Sequence, residues 1–214
     1  MNNSRFTIRE ITEIGVLSAL AIVLDTFVKI PIGSTGGSIN FSMVPLFIVA
    51  LRHGPIKGFI ASGIIYSIIT AVIDAYGIAF FVFDYLIPFG LTAILGLVAK
   101  PIFNMYTSKE KLNVVFSFVV LALMIALQGL LRILSSSINS MLFYEVTYLE
   151  GIIYNVSYVL PSTAVNIVIM ALMLPVIVML SRRYKTSFLK NSFLGMIYDN
   201  TLIEDEIEEE EQII

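Results

Sequence analysis

The sequence lacks several residue types on which common protein chemistries depend. It contains no Cys, no Trp and a single His, His53. The absence of Cys excludes disulfides, thiolate metal sites and thiol nucleophiles, and a lone His excludes paired-His metal sites and gives Ser–His catalysis little support. The motifs of zinc proteases, serine hydrolases and P-loop ATPases are also missing. We therefore expect a protein that is not an enzyme, has no cofactor or metal, and cannot hydrolyse ATP by itself.

Charged residues are scarce as well. They make up 14% of the 214 residues, against about 25% in a typical soluble domain, while hydrophobic residues make up 57%. A soluble domain of this length could not hide so much apolar surface from water, whereas a lipid bilayer accepts it. The net charge of −3 is dominated by an acidic run at 204–211 and gives no basis for nucleic-acid binding. These features predict a multi-pass protein of the cell membrane.

Six apolar segments are candidates for crossing the bilayer, which requires about 20 residues of helix. They are 11–30, 41–51, 58–73, 78–98, 114–134 and 151–180. The second is short, so we expect it to be tilted or partly re-entrant, and polar loops are expected at 100–113 and 135–150. The sequence thus predicts an all-α bundle of six transmembrane helices over 11–181. A cytoplasmic N-terminus at 1–10 precedes it, and a cytoplasmic tail at 182–214 with a disordered acidic end follows it.

Basic residues give the orientation, because cytoplasmic segments of membrane proteins are enriched in Lys and Arg. With the N-terminus inside, eleven of the 13 basic residues fall in cytoplasmic segments. Lys29 alone falls outside, and Arg132 lies within the fifth segment. The distribution predicts that both termini are cytoplasmic, which requires an even number of crossings.

Asp84 is the clearest charged residue inside an apolar segment. A charge at mid-bilayer costs about 2.5–3.5 kcal/mol on insertion scales, so such residues usually face a bundle interior or a wet cavity. One interpretation is a buried anion that faces a cationic or amino-bearing ligand. The alternatives are an interfacial position or an ion pair with Arg132.

Two helical stripes of polar residues accompany it. The fifth segment carries Gln128, Arg132, Ser135, Ser136 and Asn139, and the sixth carries Asn155, Tyr158, Ser162 and Asn166. Their spacings of three and four residues place each set on one helix face. The stripes predict either a shared polar cavity, which the tyrosines near the outer side would wall for a flat heteroaromatic ligand, or ordinary interhelical hydrogen bonds.

Gly15 and Ala19 form a small-residue pair in the first segment. Small residues at this spacing let two helix backbones approach closely. The pair therefore serves either packing within the bundle or docking of another subunit.

Four motifs resemble those of a known family. They are Gly36-Gly-Ser-Ile-Asn-Phe-Ser-Met-Val-Pro-Leu-Phe-Ile-Val-Ala-Leu-Arg-His-Gly54, Phe83-Asp-Tyr-Leu-Ile-Pro-Phe-Gly90, Leu130-Leu-Arg132 and Tyr154-Asn-Val-Ser-Tyr-Val-Leu-Pro-Ser162. In this order, over residues 10–180, they are similar to the motifs of thiamine-specific S-components, the substrate-binding membrane subunits of energy-coupling factor (ECF) transporters.

The resemblance implies a six-helix subunit that binds thiamine near the outer face and works with a transmembrane coupling subunit and two ATPase subunits. It also implies a role for individual residues. Asp84 takes the acidic position, Tyr85 follows it, Asn155 takes the motif Asn, Tyr144 falls where a ring stacks on the vitamin, and Tyr76 aligns with a family Tyr. Gly15 and Ala19 fall on the face that contacts the coupling subunit.

Two candidate site residues depart from the family pattern. Ser136 replaces a His and Glu150 replaces a Tyr, although a cavity with Asp84 and Glu150 still suits the cationic thiazolium ring of thiamine. The ligand therefore stays open between thiamine, a phosphorylated or precursor form and another vitamin, and Arg132 could favour an anionic group. A self-standing proton-coupled transporter that uses Asp84 or Glu150 is a further alternative, as is a structural, sensory or enzymatic membrane protein.

Overall fold

The fold is a bundle of six helices, as the sequence predicts. The computed structural model describes residues 6–32, 37–75 and 77–189. Within these residues the helices are α1 (Ile8–Phe27), α2 (Met43–His53), α3 (Pro55–Asp74), α4 (Ile78–Tyr106), α5 (Lys111–Phe143) and α6 (Tyr148–Arg183). Two short strands, β1 (Ile30–Ile32) and β2 (Gly37–Ile39), connect α1 to α2. Apolar side chains that lack a protein partner cover the outside, and Ile78 is 92% exposed, as expected of a multi-pass protein whose solvent is lipid.

The helices differ in their ability to cross a bilayer. Four of those in the described residues, α3 to α6, are long and apolar enough to span it. Helix α1 has a sufficient length of 20 residues but carries Glu10, Glu13 and Asp25. Helix α2 has 11 residues, or about 16 Å at 1.5 Å per residue, and is too short for a full crossing. The short second segment was predicted from its length.

The two strands were not predicted. They pair in antiparallel register, with Ile30 opposite Ile39 and Ile32 opposite Gly37. The hairpin lies against α6, where a side chain on Gly37 would collide with the ring of Tyr158, and the Ser162 hydroxyl donates to the Ser38 carbonyl at 3.3 Å. A polar, Gly-rich stretch predicts a loop, and strands of three residues are too short to show an alternation of apolar and polar residues.

Helix α4 is irregular where Asp84 lies. Residues Phe81–Leu86 form a wider π-helical turn, and Pro88 follows. The backbone here therefore cannot form the regular α-helical pattern of hydrogen bonds. Polar residues of α5 satisfy the carbonyls at this point. Gln128 donates to the Pro88 carbonyl at 3.0 Å and Ser135 to the Phe83 carbonyl at 2.8 Å. Part of the α5 stripe therefore serves interhelical hydrogen bonding.

Two predicted loops were partly wrong. Helix α4 continues through Lys100 and Pro101 to Tyr106, and α5 continues through Asn139 to Phe143. Low hydropathy suggested loops at both places. In α5 the polar residues instead continue the helix along its inward face, where Ser136, Ser137 and Asn139 are buried.

Charged side chains join the helix ends on the side where α1 starts and α6 ends. The Lys57 ammonium lies 2.9 Å from the Glu10 carboxylate, and the Arg52 guanidinium lies 2.5 Å from that of Glu13. After α6 the chain turns back over this cluster as residues 184–189, here named the C-terminal hook. The Ser187 amide donates to Glu10 at 2.6 Å and its hydroxyl accepts from Lys57 at 2.7 Å. The start of α1 and the end of α6 therefore lie on the same side of the bundle.

Candidate ligand cavity

A cavity of about 680 Å³ opens at the end of the bundle opposite the start of α1 and the end of α6. Protein sites for small ligands commonly have about 300–1,000 Å³. The C-terminal parts of α1, α3 and α5 form its walls together with β2, the irregular part of α4 and the start of α6. The residues that line it are Asp25, Lys29, Ser38, Asn40, Thr70, Asp74, Asp84, Tyr85, Phe89, Arg132, Ser136, Ser140, Tyr144, Val146, Glu150, Gly151, Tyr154, Asn155 and Tyr158.

Asp84 lies in the cavity wall, on the π-helical turn of α4. Its carboxylate accepts a hydrogen bond from the Asn139 amide at 2.6 Å and also interacts with Ser136 and, electrostatically, with Arg132. No ion pair with Arg132 forms within 4 Å, so the pairing considered from the sequence is not observed. The wider turn and the α5 stripe together direct the carboxylate inward.

Arg132 reaches the same cavity from α5. Its guanidinium lies 5.1 Å from the centre of the Phe89 ring, a cation–π distance. Among the described residues it makes no hydrogen bond or ion pair, although a guanidinium carries five donors. It interacts electrostatically with both Asp25 and Asp84, and all three residues line the cavity.

Tyr85 and Asp74 form a second polar contact of the wall. Tyr85 is 6% exposed, and its hydroxyl donates to the Asp74 carboxylate at 2.9 Å. The ring also packs 6.0 Å from that of Phe89. Tyr85 thus supplies an apolar surface to the cavity while it holds Asp74 in place.

Asn155 and Ser136 also line the cavity. Asn155 is 1% exposed; its amide donates to the Gly151 carbonyl at 2.8 Å and its oxygen accepts from the Tyr158 hydroxyl. Ser136 is buried on the facing side of α5, next to Asp84. Asp84, Ser136 and Asn155 thus line one cavity, as predicted. Their roles in ligand binding stay predictions.

Tyr144 and Glu150 lie at the rim. Tyr144 is 56% exposed and its ring centre lies 5.8 Å from that of Phe80. The Glu150 carboxylate accepts from the amide and the hydroxyl of Thr147, at 2.7 and 2.8 Å, in the capping box of α6. Its geometry is accounted for by helix capping, a role that we did not predict. Tyr76 lies outside the described residues.

Several lining residues were missed in the sequence, among them the polar residues Asp25, Lys29, Asn40 and Asp74. Asp25 gives the same signal as Asp84, a carboxylate inside an apolar segment, and this signal could have identified it. Asp74 was assigned to a turn, and Asn40 to a loop. That Asn40 donates to Asp25 at 2.9 Å follows only from the tertiary arrangement.

The charges of the cavity are unbalanced. Four carboxylates (Asp25, Asp74, Asp84 and Glu150) and two basic groups (Lys29 and Arg132) line it, which leaves an excess of two negative charges. Within the described ranges, every ion pair closer than 4 Å lies at the opposite end of the bundle. Charges without counter-charges are costly in a low-dielectric setting, so the cavity is electrostatically suited to a cation.

Comparisons with known proteins identify the family. The family model described as "Thiamine transporter protein (Thia_YuaJ)" matches residues 11–185. The chain belongs to the thiamine transporter family. The match covers all six helices and the start of the C-terminal hook.

Two relatives agree with this membership in the thiamine transporter family. The thiamine transporter ThiT of Bacillus subtilis (strain 168) is 27% identical over 187 residues, which cover 81% of this chain and 93% of the relative. A solved structure of ThiT from Listeria monocytogenes superposes with a TM-score of 0.65 at 20% identity, covering 80% of this chain and 97% of the other. The structural match shows that the fold is shared.

The small-residue pair of this family member lies away from the cavity. Gly15 and Ala19 are exposed on the outer face of α1, and a side-chain carbon added at Gly15 would meet no atom within 4 Å. Packing within the bundle therefore does not account for Gly15, and the pair remains a predicted docking face.

Proposed function

We propose that this chain binds thiamine in the cavity and is the substrate-binding subunit of an ATP-driven ECF uptake transporter. The observation that carries the proposal is the unpaired excess of negative charge in a cavity of about 680 Å³ walled by aromatic rings. Thiamine combines a permanently cationic thiazolium ring with a flat aminopyrimidine, so it matches the charge and the aromatic walls together. The names of the relatives point to the same ligand.

Asp84 is the proposed anchor for the aminopyrimidine. A carboxylate accepts hydrogen bonds from an amino group or a protonated ring nitrogen, and the Asn139 amide fixes Asp84 in the orientation that faces the cavity. Asn155, Ser136 and Tyr85 complete a polar and aromatic surround. Tyr144 and Glu150 at the rim, with Tyr76, are proposed to meet the ligand as it enters.

The partners belong to the same proposal. The sequence has no Walker A motif, so ATP-driven uptake requires separate ATPase subunits, and the exposed pair Gly15 and Ala19 offers a smooth face to a transmembrane coupling subunit. If the termini are cytoplasmic, as the basic residues indicate, the cavity opens to the outside, where substrate is captured.

The decisive experiment uses purified protein in detergent and labelled thiamine. We expect saturable binding, no uptake when the protein alone is placed in liposomes, and ATP-dependent uptake when coupling and ATPase subunits are added. Absence of thiamine binding would refute the assigned ligand, and a vitamin panel read by thermal stabilisation would then find another. Uptake by the isolated chain that an uncoupler abolishes would instead establish the self-standing proton-coupled alternative.

A further inference from the structure

Asp25 is one of two carboxylates of the cavity, with Asp74, for which the motifs imply no ligand contact. It lies near the C-terminal end of α1 and lines the cavity. The Asn40 amide donates to its Oδ1 at 2.9 Å. No ion pair within 4 Å neutralises it among the described residues, although Lys29 follows shortly after the end of α1 and acts on it electrostatically.

A directed chain of hydrogen bonds ends on this carboxylate. The Tyr66 hydroxyl donates to the Ser42 hydroxyl at 2.9 Å, Ser42 donates to the Asn40 Oδ1 at 3.1 Å, and the Asn40 amide donates to Asp25. The amide oxygen of Asn40 can only accept, so the direction of the whole chain is fixed toward Asp25. Tyr66 and Ser42 are fully buried and Asn40 is 5% exposed. A buried chain in which every donor points the same way stabilises a negative charge at its end.

Two carboxylates, Asp25 and Asp74, come together at this wall of the cavity, whereas Asp84 lies on another wall. Asp25 interacts electrostatically with Asp74, and the latter is held by the neutral hydroxyl of Tyr85. Asp84 has Arg132 and the Asn139 amide beside it. Lys29 and Arg132 also act electrostatically on Asp25, but neither forms an ion pair with it within 4 Å among the described residues, and the direct hydrogen-bond donor of Asp25 is the neutral Asn40 amide. The two carboxylates of this wall are therefore available to a positive charge of the ligand.

We propose that Asp25 is a specificity-determining residue that binds the permanent positive charge of the ligand, a role that rests on the proposed thiamine-binding function. In this arrangement the thiazolium ring lies toward Asp25 and Asp74, and the aminopyrimidine lies toward Asp84. Asn40, Ser42 and Tyr66 position Asp25 and keep it an acceptor. Because the two rings of the ligand contact different walls of the cavity, they meet carboxylates from different helices.

The test compares thiamine with 3-deazathiamine, in which the cationic thiazolium is replaced by a neutral thiophene of the same shape. Wild-type protein in detergent should bind thiamine about tenfold or more tightly than the neutral analogue, which is about 1.4 kcal/mol in binding free energy. Asp25→Asn keeps an oxygen that can accept from Asn40, removes the negative charge and replaces the second carboxylate oxygen with an NH2 group. We expect this variant to lose at least about tenfold in thiamine affinity and to bind the analogue within about twofold of wild type.

Several outcomes would overturn the inference. If the variant binds both ligands more weakly by the same factor, Asp25 has a structural role. If the variant retains the preference for thiamine, another residue recognises the positive charge. A wild-type protein that binds both ligands equally would have the same consequence without any variant. If Asp25→Asn fails to fold, Asn40→Ala serves in its place, since it leaves the carboxylate but removes its positioning donor, and an unchanged preference there contradicts the inference.

The controls separate this inference from the proposed function. Glu110→Gln removes a carboxylate in the loop before α5, outside the cavity, and should leave both affinities unchanged. Absence of thiamine binding by wild-type protein would refute the proposed function and this inference together, whereas thiamine binding without charge preference would refute the inference alone.

Discussion

At the scale of single residues, the proposed ligand preference of the cavity depends on its carboxylates. Asp84 and Asp25 both occupy positions where an apolar residue would favour insertion by a few kcal/mol, and each is held by a neutral amide rather than by a counter-charge. A residue retained at such a cost and directed into a cavity is best explained by a ligand. The same pattern appears at Asp74, where the donor is the Tyr85 hydroxyl.

Replacement of Asp84 by Asn should weaken thiamine binding by about tenfold or more, because a hydrogen bond to a charged group is worth about 1.5–3 kcal/mol and 1.4 kcal/mol corresponds to tenfold. The variant keeps the oxygen that accepts from Asn139, so the fold should persist. Isothermal titration calorimetry on purified protein measures the change. An affinity equal to that of wild type would remove Asp84 from the site.

The sequence predicted part of the cavity lining. Asp84 and Asn155 were selected because each is a polar residue that lies inside an apolar segment and within a motif. The cavity lining contains both. Glu150 was selected for its charge, yet its capping contact with Thr147 arises only once α6 starts at that position. Asp25 carried the same signal as Asp84 and was overlooked, whereas its hydrogen-bonded chain to Tyr66 depends on tertiary contacts between α1, α2 and α3.

At the scale of elements, close approach of backbones holds the bundle together. Gly96 of α4 lies against the turn between α2 and α3, where an added side-chain carbon would stand 2.6 Å from the Gly54 carbonyl carbon and 2.8 Å from the Pro55 Cα, in addition to a clash with the Pro55 nitrogen. These atoms are backbone and cannot move aside. The contact therefore sets how near α4 comes to the turn.

Gly96→Ala should destabilise the protein by about 1–3 kcal/mol, as overpacked interiors do. A loss of about 1 kcal/mol lowers the melting temperature by about 2–4 °C in a protein of this size, which thermal unfolding in detergent can detect. Gly15→Ala is the matched control, since no atom lies within 4 Å of the added carbon. Equal melting temperatures for the two variants would contradict the packing argument.

Element boundaries show where sequence patterns reach their limit. Six helices and the short second one follow from hydropathy and length. The extensions of α4 to Tyr106 and of α5 to Phe143 were missed because hydropathy falls where a helix leaves the lipid or faces a cavity. The strand pair was not predicted, because contacts with Tyr158 and Ser162 of α6 stabilise it and its own sequence carries no strand pattern.

For the whole molecule, the proposed ligand cavity and the proposed docking face lie apart. The cavity lies at one end of the bundle, whereas Gly15 and Ala19 lie on an exposed face of α1. The two functions should therefore be separable by mutation.

Gly15→Leu or Ala19→Leu should leave thiamine affinity unchanged and lower ATP-dependent uptake by the complete transporter by about tenfold, the effect of about 1.4 kcal/mol of lost docking free energy. A bulky side chain on this face would keep a partner helix from close approach. Uptake assays beside binding assays on the same preparations measure both effects. Val16→Leu is the control, since it enlarges a neighbouring residue that is already bulky and exposed. Full uptake by Gly15→Leu would place the coupling surface elsewhere.

The C-terminal hook has a practical consequence for protein production. Ser187 supplies partners to both Glu10 and Lys57, and the Thr186 hydroxyl donates to the Arg52 carbonyl. A fragment cut at Arg183, where the last helix ends, would lose these bonds and expose a charge cluster that water and detergent would then enter. Expressed fragments should therefore include the chain up to Leu189, and an affinity tag should be attached after that residue. This point lies six residues beyond the end of α6, where hydropathy alone would suggest the cut.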